Sequence, residues 1–495
     1  MGVRLSEALE DVEIIADNGL NPVIAGIHYD SRQVQPGFVF VCIKGFRLDG
    51  HSFVGDALAR GAIAVVSERR IDIPDGIAWI QVSDTRSALA AMSASFYGHP
   101  SRELFLCGVT GTNGKTTTTH LIEAVLRAKG EKTGIIGTVW NKIGDQKLPV
   151  THTTPESLDL QALLRKMVDS GVRAVAMEVS SHGLALKRVA GCEFDAAVFT
   201  NLTQDHLDFH KDMREYLEAK MLLFKSLGRK RTKSRPFYAV VNADDPSAEE
   251  IVKNTDAPVI TYGIREKADL VAEELELSSK MSSFVLSYGG AKIPFTILLP
   301  GAFNVYNTLA AVAVGIQEGV PLDAIRDTLK EVKGVPGRFE VVDAGQDFTV
   351  IVDYAHTPDG LENLLRTARA ITAGRLITVF GCGGDRDPGK RPLMGKISGE
   401  LSDYTVITSD NPRTEDPQRI IEQIVAGIEQ VGGAKFAVEP DRAEAIRVAL
   451  HYARSGDVVV IAGKGHEDYQ IIGEKKYPFD DRKVAREIIE KEILG

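Results

Sequence analysis

Cysteine is scarce in this sequence: four in 495 residues, Cys42, Cys107, Cys192 and Cys382, far apart and without a CxxC pair. That excludes a disulfide framework and a thiolate zinc site, and it fits a reducing cytoplasm. Long apolar runs are missing too, since none approaches the roughly 18 residues a membrane helix needs. The early residues Glu7, Glu10, Asp11 and Glu13 give no basic-then-apolar order, so a secretory signal is not expected. Positive charge is in deficit, with 58 Lys+Arg against 68 Asp+Glu and a net charge of −10. This argues against nucleic acid or an anionic membrane as a general partner, while leaving room for a local basic pocket. What remains is an ordinary globular composition, 44% hydrophobic and 25% charged, long enough for about three domains.

The texture changes twice along the chain. Residues 1–98 mix short β-type runs such as 37–41 with one helical stretch near Phe53–Arg60. From about 102 onward, strand, glycine loop and helix repeat, and the apolar runs 104–109, 174–179, 196–202 and 239–242 read as buried parallel strands. A basic tract at 228–236 reads as a solvated surface loop rather than a nucleic-acid patch. Gly334-Val335-Pro336-Gly337 punctuates the chain again. Beyond it, runs at 348–352, 376–380, 404–408 and 458–462 alternate with helical stretches, as in another doubly wound α/β domain. The expected limits are 1–98, 99–333 and 334–495.

The strongest local signal is Gly111-Thr112-Asn113-Gly114-Lys115-Thr116, placed between an apolar strand and a helical pattern that runs from Thr117. Glycines let the backbone approach a phosphate, helix-start N–H groups point at it, Lys115 adds a charge and the Thr116 hydroxyl suits Mg²⁺. The usual eight-residue motif would place glycine at 109, where Val109 stands, so this is a shortened variant. Glu178 ends a strand-like run facing the crevice where ligands of such sheets bind; it reads as a magnesium ligand, with a structural ion pair as the alternative. His206 and His210 have zinc-helix spacing, but Leu207 stands where a zinc protease needs glutamate. His206 is left as a magnesium-site ligand or a satisfied strand-end histidine. Gly381–Arg386 lacks the third glycine of a dinucleotide loop, which argues against NAD.

The succession 111–117, 178–183, 200–208, 301–307 and 353–358 resembles the Mur ligase family, ATP-dependent peptide ligases of cell-wall precursor synthesis, over essentially the whole chain. The resemblance implies three α/β domains: a small UDP-binding domain, a central P-loop ATPase-like parallel-sheet domain and a C-terminal Rossmann-like domain for the amino acid. Asp410-Asn411-Pro412-Arg413 and Gly463-Lys464-Gly465-His466-Glu467 resemble the branch that adds meso-diaminopimelate to UDP-N-acetylmuramoyl-L-alanyl-D-glutamate. The resemblance further implies that Lys115, Glu178, His206 and Lys220 form the catalytic centre, with Thr116, Glu178, His206 and a carbamylated Lys220 holding Mg²⁺. ATP would meet 111–117, Asn304, Asn307, Arg338, Asp353 and His356. The UDP-sugar-dipeptide would meet Ser31, with segments 30–32 and 46–49 near the uridine, and Thr153, Thr154, Ser180 and Arg188. The family pattern has Asn and Gln where this chain has His152 and Leu186. Arg386, Gly463 and Glu467 would join 410–413 around diaminopimelate, Arg413 taking the far carboxylate as a planar fork and Glu467 the far ammonium. A monomeric cytoplasmic enzyme is expected. The rivals are a lysine-adding ligase, a folylpolyglutamate synthase, and a nucleotide-dependent switch protein.

Overall fold

Parallel strands buried on both faces need continuous apolar runs, and three sheets here are built from such runs. A computed structural model describes residues 2–46, 48–229, 231–278 and 280–495; Met1, Arg47 of the 46–49 segment, Lys230 of the basic tract and Ser279 lie outside the described residues. The first sheet has five strands in the order Ile14–Asp17, Ala78–Val82, Ala64–Ser67, Phe38–Val41, Gly26–His28. Its core includes Val39, Val41, Ala64, Val66 and Ile80. The third has six, with Thr349–Asp353, Val458–Ala462, Leu376–Phe380, Tyr404–Ile407 and Phe436–Val438 all parallel.

The central sheet has eleven strands. Phe105–Thr110 lies between Ala174–Glu178 and Ala196–Phe199, and all three are parallel. Chain order reverses at that point, because Thr133–Ile136 lies beyond Ala174–Glu178 while Tyr238–Asn242 lies beyond Ala196–Phe199. Such a reversal opens a crevice at the carboxyl ends of the strands. Helices Lys115–Arg127 and Ala302–Gln317 pack against each other and on one face of the sheet; a Cβ on Gly315 would come within 2.5 Å of Val125 Cγ1, so the glycine permits the close approach.

Three features depart from the sequence reading. The parallel sheet is extended by an antiparallel meander, Leu270–Leu277, Ser282–Tyr288 and Ala291–Ile297. Its alternating burial packs one face on the core, the signature of a sheet with one wet side. A twelve-residue helix, Thr85–Phe96, was not expected; Asp84 caps it by accepting from the N–H groups of Arg86 and Ser87. It packs on helix Ser157–Asp169, and Tyr29 Oη–Asp159 (2.9 Å), Arg86–Glu156 (3.3 Å) and Lys187–Asp84 (2.6 Å) also join the first domain to the second.

The basic tract is the third departure, because two of its cations, Arg231 and Lys233, are buried rather than solvated. Asp195, with no exposed surface, draws in Arg231 (2.7 Å) and Lys233 (2.6 Å), and its Oδ2 also accepts the Leu106 N–H at 2.8 Å. Charge runs are read as solvated by default, and the buried carboxylate at the start of a strand was the missing signal. Asp195→Ala would strand two buried cations; we expect a loss of about 3–5 kcal/mol, read as a shift of the urea unfolding transition.

Candidate active site

The loop after strand Phe105–Thr110 turns through Gly111 (φ +149) and Gly114 (φ +84) before helix Lys115–Arg127 begins. A side chain at either would be strained and crowded, since a Cβ on Gly114 would lie 2.5 Å from Asn307 Oδ1. The loop is pinned from the next strand end: Asn113 N–H donates to Asn201 Oδ1 (2.9 Å) and Thr200 Oγ1 donates to the Asn113 carbonyl (2.7 Å). Thr112 Oγ1 meets Tyr216 Oη at 3.1 Å. Lys115 Nζ curls onto the carbonyls of Gly111 (2.8 Å) and Thr112 (2.7 Å), and burial, set against the pull of Glu178 and Asp205, lowers its pKa. An anion seated in the loop would offer the ammonium stronger partners than these carbonyls.

Glu178, fully buried, ends its strand beside the loop. Its Oε2 accepts from Thr116 Oγ1 (2.9 Å) and Thr138 Oγ1 (2.9 Å), and its Oε1 from Thr138 N–H (2.7 Å). Thr138 was missed by sequence reasoning; its position just past strand Thr133–Ile136, among the other ligand-facing strand ends, was the available signal. His206 stands at φ +57, its Nε2 3.3 Å from Asp205 Oδ2. Burial holds the imidazole neutral, far below its ordinary value, while Asp205, against its own burial, is kept ionised by Lys390 and by the His206 backbone N–H, which donates to its Oδ1 at 2.9 Å. Lys220, on helix Met213–Ser226, is 1% exposed. Among the described residues its amine has no hydrogen-bond acceptor and lies 4.2 Å from the Tyr216 ring centre. Burial, aided by Lys115, pushes its pKa well down.

These groups line a cavity of about 870 Å³ between the domains, as do Thr117, Thr153, Thr154, Ser180, Arg188, Asn307, Arg338, Asp353 and His356. Ser180 caps helix Ser181–Ala185 through Gly183 N–H (3.0 Å), and its Oγ meets Thr154 Oγ1 at 3.1 Å. Thr153 Oγ1 meets Thr138 Oγ1 at 3.1 Å, and Arg188 donates to the Thr154 carbonyl (3.0 Å). From the third domain, Arg338 reaches Thr116 Oγ1 (3.0 Å), its guanidinium carbon 4.6 Å from the Tyr354 ring centre. Asp353 accepts from Phe339 N–H (2.6 Å) and Ala355 N–H (2.7 Å), and His356 Nδ1 bonds the Tyr354 carbonyl (2.8 Å). Asp359, also missed, accepts from the loop's Asn113 at 2.6 Å. Only a fold that brings residue 359 over residue 113 reveals that contact.

Three of the expected residues stay outside the cavities. Asn304 is turned inward, bonding Pro300 O (2.8 Å) and accepting from Asn307 (3.1 Å), so it braces Asn307. Ser31 is buried in a short turn of the first domain, whose Phe46 is the residue that reaches the cavity mouth, against Phe209. Pro412 shapes the turn behind Gly384.

A smaller cavity shares Asp205, His206, Tyr354, His356 and Arg386 with the first, and Asp410, Asn411, Arg413, Gly463 and Glu467 close it. Arg413 donates to the Gly384 carbonyl (2.7 Å); among the described residues neither Arg413 nor Arg386 has an ion pair. Together the cavities juxtapose a phosphate loop, a buried amine and guanidinium groups without ion-pair partners among the described residues.

Family models match most of the chain: the Mur ligase family catalytic domain over residues 23–97, the Mur ligase middle domain over 109–315, and the Mur ligase glutamate ligase domain over 337–465. The chain belongs to the Mur ligase family. This Mur ligase is 49% identical to the UDP-N-acetylmuramoyl-L-alanyl-D-glutamate–2,6-diaminopimelate ligase of Syntrophomonas wolfei, covering 99% of this chain and 100% of the relative. It is 51% identical to the ligase of the same name from Geobacillus kaustophilus, covering 96% of each. A solved ligase of that name superimposes with a TM-score of 0.69 at 34% identity over 100% of both chains. A MurF ligase from Thermotoga maritima in complex with ADP, 20% identical, shares the fold of this Mur ligase with a TM-score of 0.62, over 94% of this chain and 97% of that one.

For this Mur ligase, Gly114→Ala would set a methyl against Asn307 in a backbone region L residues avoid. We expect nucleotide affinity, read by calorimetry, to fall by at least about tenfold, with a stability loss of about 1–2 kcal/mol.

Proposed function

We propose that this chain is an ATP-dependent ligase that adds meso-diaminopimelate to UDP-N-acetylmuramoyl-L-alanyl-D-glutamate in peptidoglycan precursor synthesis. The observation that carries the choice of amino acid is Arg413, a guanidinium without a carboxylate partner among the described residues, on the wall of the small cavity beside Glu467. Meso-diaminopimelate differs from lysine by a second carboxylate, the group this fork would take. The names of the relatives support the same reading.

In this reading residues 1–98 take the UDP end, 99–333 the ATP and 334–495 the amino acid, in a monomeric cytoplasmic enzyme. Lys115 leaves its own loop carbonyls for the β- and γ-phosphates, held also by the N–H groups at the helix start. Arg338, Asp353, His356 and Asn307 border the nucleotide, with Asn304 as a brace, and Thr153, Thr154, Ser180 and Arg188 orient the dipeptide end. The D-glutamate side-chain carboxylate attacks the γ-phosphorus and ADP departs. The diaminopimelate amine then attacks the acyl phosphate carbon, loses its proton, and phosphate leaves as the amide forms. Two anions must meet, so Arg188, Arg386 and Lys115 offset the repulsion, and the domain contacts exclude water from the acyl phosphate.

Mg²⁺ suits the residues present. The Thr116 hydroxyl and Glu178 carboxylate, 2.9 Å apart, are hard oxygen donors beside the phosphate loop. His206 is neutral and could ligate, although among the described residues no three His, Cys, Asp or Glu side chains form a ready-made metal site. The ion would neutralise phosphate charge. Lys220, whose pKa burial pushes well down, would in its free-amine form add CO₂, release a proton and become a carbamate oxygen donor.

Turnover with lysine tests the amino-acid choice: we expect kcat/KM at least about 10³-fold below that for meso-diaminopimelate, because lysine leaves the half-buried guanidinium of Arg413 unpaired. Faster turnover with lysine would overturn this reading in favour of a lysine-adding ligase. ATP hydrolysis that needs neither acceptor nor amino acid would indicate a switch protein, and glutamate addition to a folate would indicate folylpolyglutamate synthase. Lys220→Ala should lose activity and partly regain it with added short-chain carboxylic acids; wild-type turnover of that variant would remove Lys220 from the site.

A further inference from the structure

In the turn 463–467, the Lys464 side chain reaches neither cavity wall. Lys464 is 0% exposed and lies behind the smaller cavity, between glycines at φ +117 and +53. Space requires those glycines as well: a Cβ at 463 would stand 2.7 Å from Asp410 Oδ2, and one at 465 would stand 2.6 Å from the Gly337 carbonyl. An ammonium has three donors and no acceptor, so each neighbour must turn an oxygen toward it. Lys464 Nζ donates to Asn411 Oδ1 at 2.9 Å and to Glu467 Oε2 at 3.2 Å. Asn411 Oδ1 accepts the Ile471 N–H as well, at 2.9 Å. With its oxygen claimed twice, the amide has one orientation, and its Nδ2 donates to Glu467 Oε2 at 2.9 Å.

Both bonds to Glu467 therefore land on Oε2. Among the described residues Oε1 accepts none, and Glu467 lines the cavity. Glu467 shares that small space with Asp410, and burial together with this second carboxylate makes its ionisation costly; Lys464 works against both.

We propose that Lys464 is a positioning residue for amino-acid selection: it fixes Asn411 and Glu467 so that Glu467 Oε1 receives the ammonium at the far end of the incoming diamino acid. This rests on the reading that the smaller cavity takes that amino acid. Lys464 touches no substrate. It supplies the counter-charge that keeps a carboxylate available on a half-buried wall, and it leaves the guanidinium of Arg413 to the substrate carboxylate.

The test compares meso-diaminopimelate with L-2-aminopimelate, which keeps both carboxylates and the reacting amine but lacks the far ammonium. Wild type should prefer meso-diaminopimelate by at least about tenfold in kcat/KM. In Lys464→Met that preference should largely vanish through a higher KM for meso-diaminopimelate, while kcat and the KM values for ATP and the UDP-dipeptide stay within about twofold. A preserved preference, or equal losses with both amino acids, would overturn the proposal and leave Lys464 a structural ion. No preference in wild type would instead reject the assignment of Glu467 beneath it, and the proposal with it. Should Lys464→Met fail to fold, Lys464→Gln keeps a donor for Asn411 without the charge. Its preference should fall between the two, and a wild-type value would overturn the proposal.

Discussion

A carboxylate with no exposed surface persists only where donors surround it, and Glu178 is where the central domain meets that demand. The Thr116 hydroxyl, the Thr138 amide and the Thr138 hydroxyl all converge on it. Three separate segments (the phosphate-loop helix, the end of strand Ala174–Glu178 and the turn after Thr133–Ile136) are thereby fixed relative to one another. The shape of the larger cavity follows from this, because Thr154 bonds the carbonyl of the same glutamate at 3.0 Å and carries Ser180 and Arg188 with it.

Charge is distributed on a second principle. The chain as a whole is acidic, yet its cavities hold Lys115, Arg386 and Arg413 without ion-pair partners among the described residues. Elsewhere buried cations are compensated within the fold: Arg442 is bidentate to Asp481, and Arg231 and Lys233 share Asp195. A cation on a cavity wall that has no carboxylate of its own is open to an anionic ligand, so the contrast separates groups serving the fold from groups serving substrates.

Much of this was legible in the sequence because local chemistry is written locally. The phosphate loop needs glycines at two backbone positions and a lysine at a helix start, all within six residues, and the parallel strands of the central and third sheets announce themselves as apolar runs. Helix Thr85–Phe96 escaped because Ala and Ser give a weak amphipathic pattern, although Asp84 was a readable cap. The basic tract misled because its counter-ion sits more than thirty residues upstream. Asn304 shows the limit of motif transfer: its motif placed it near the nucleotide, but only packing determines which way its side chain turns. Thr138 and Asp359 act through contacts that the chain makes across long separations, which no spacing rule encodes.

The contacts from the third domain to the phosphate loop are few, Asn113 to Asp359 at 2.6 Å and Thr116 to Arg338 at 3.0 Å. Each is a hydrogen bond of modest net strength, about 1 kcal/mol for neutral partners and up to about 3 with a charged group. A latch of that strength is undone by thermal motion, and water readily satisfies all four side chains once the domains part. Two bonds of that strength hold the loop without locking it, so the loop's own side chains are free to exchange these partners for a bound anion.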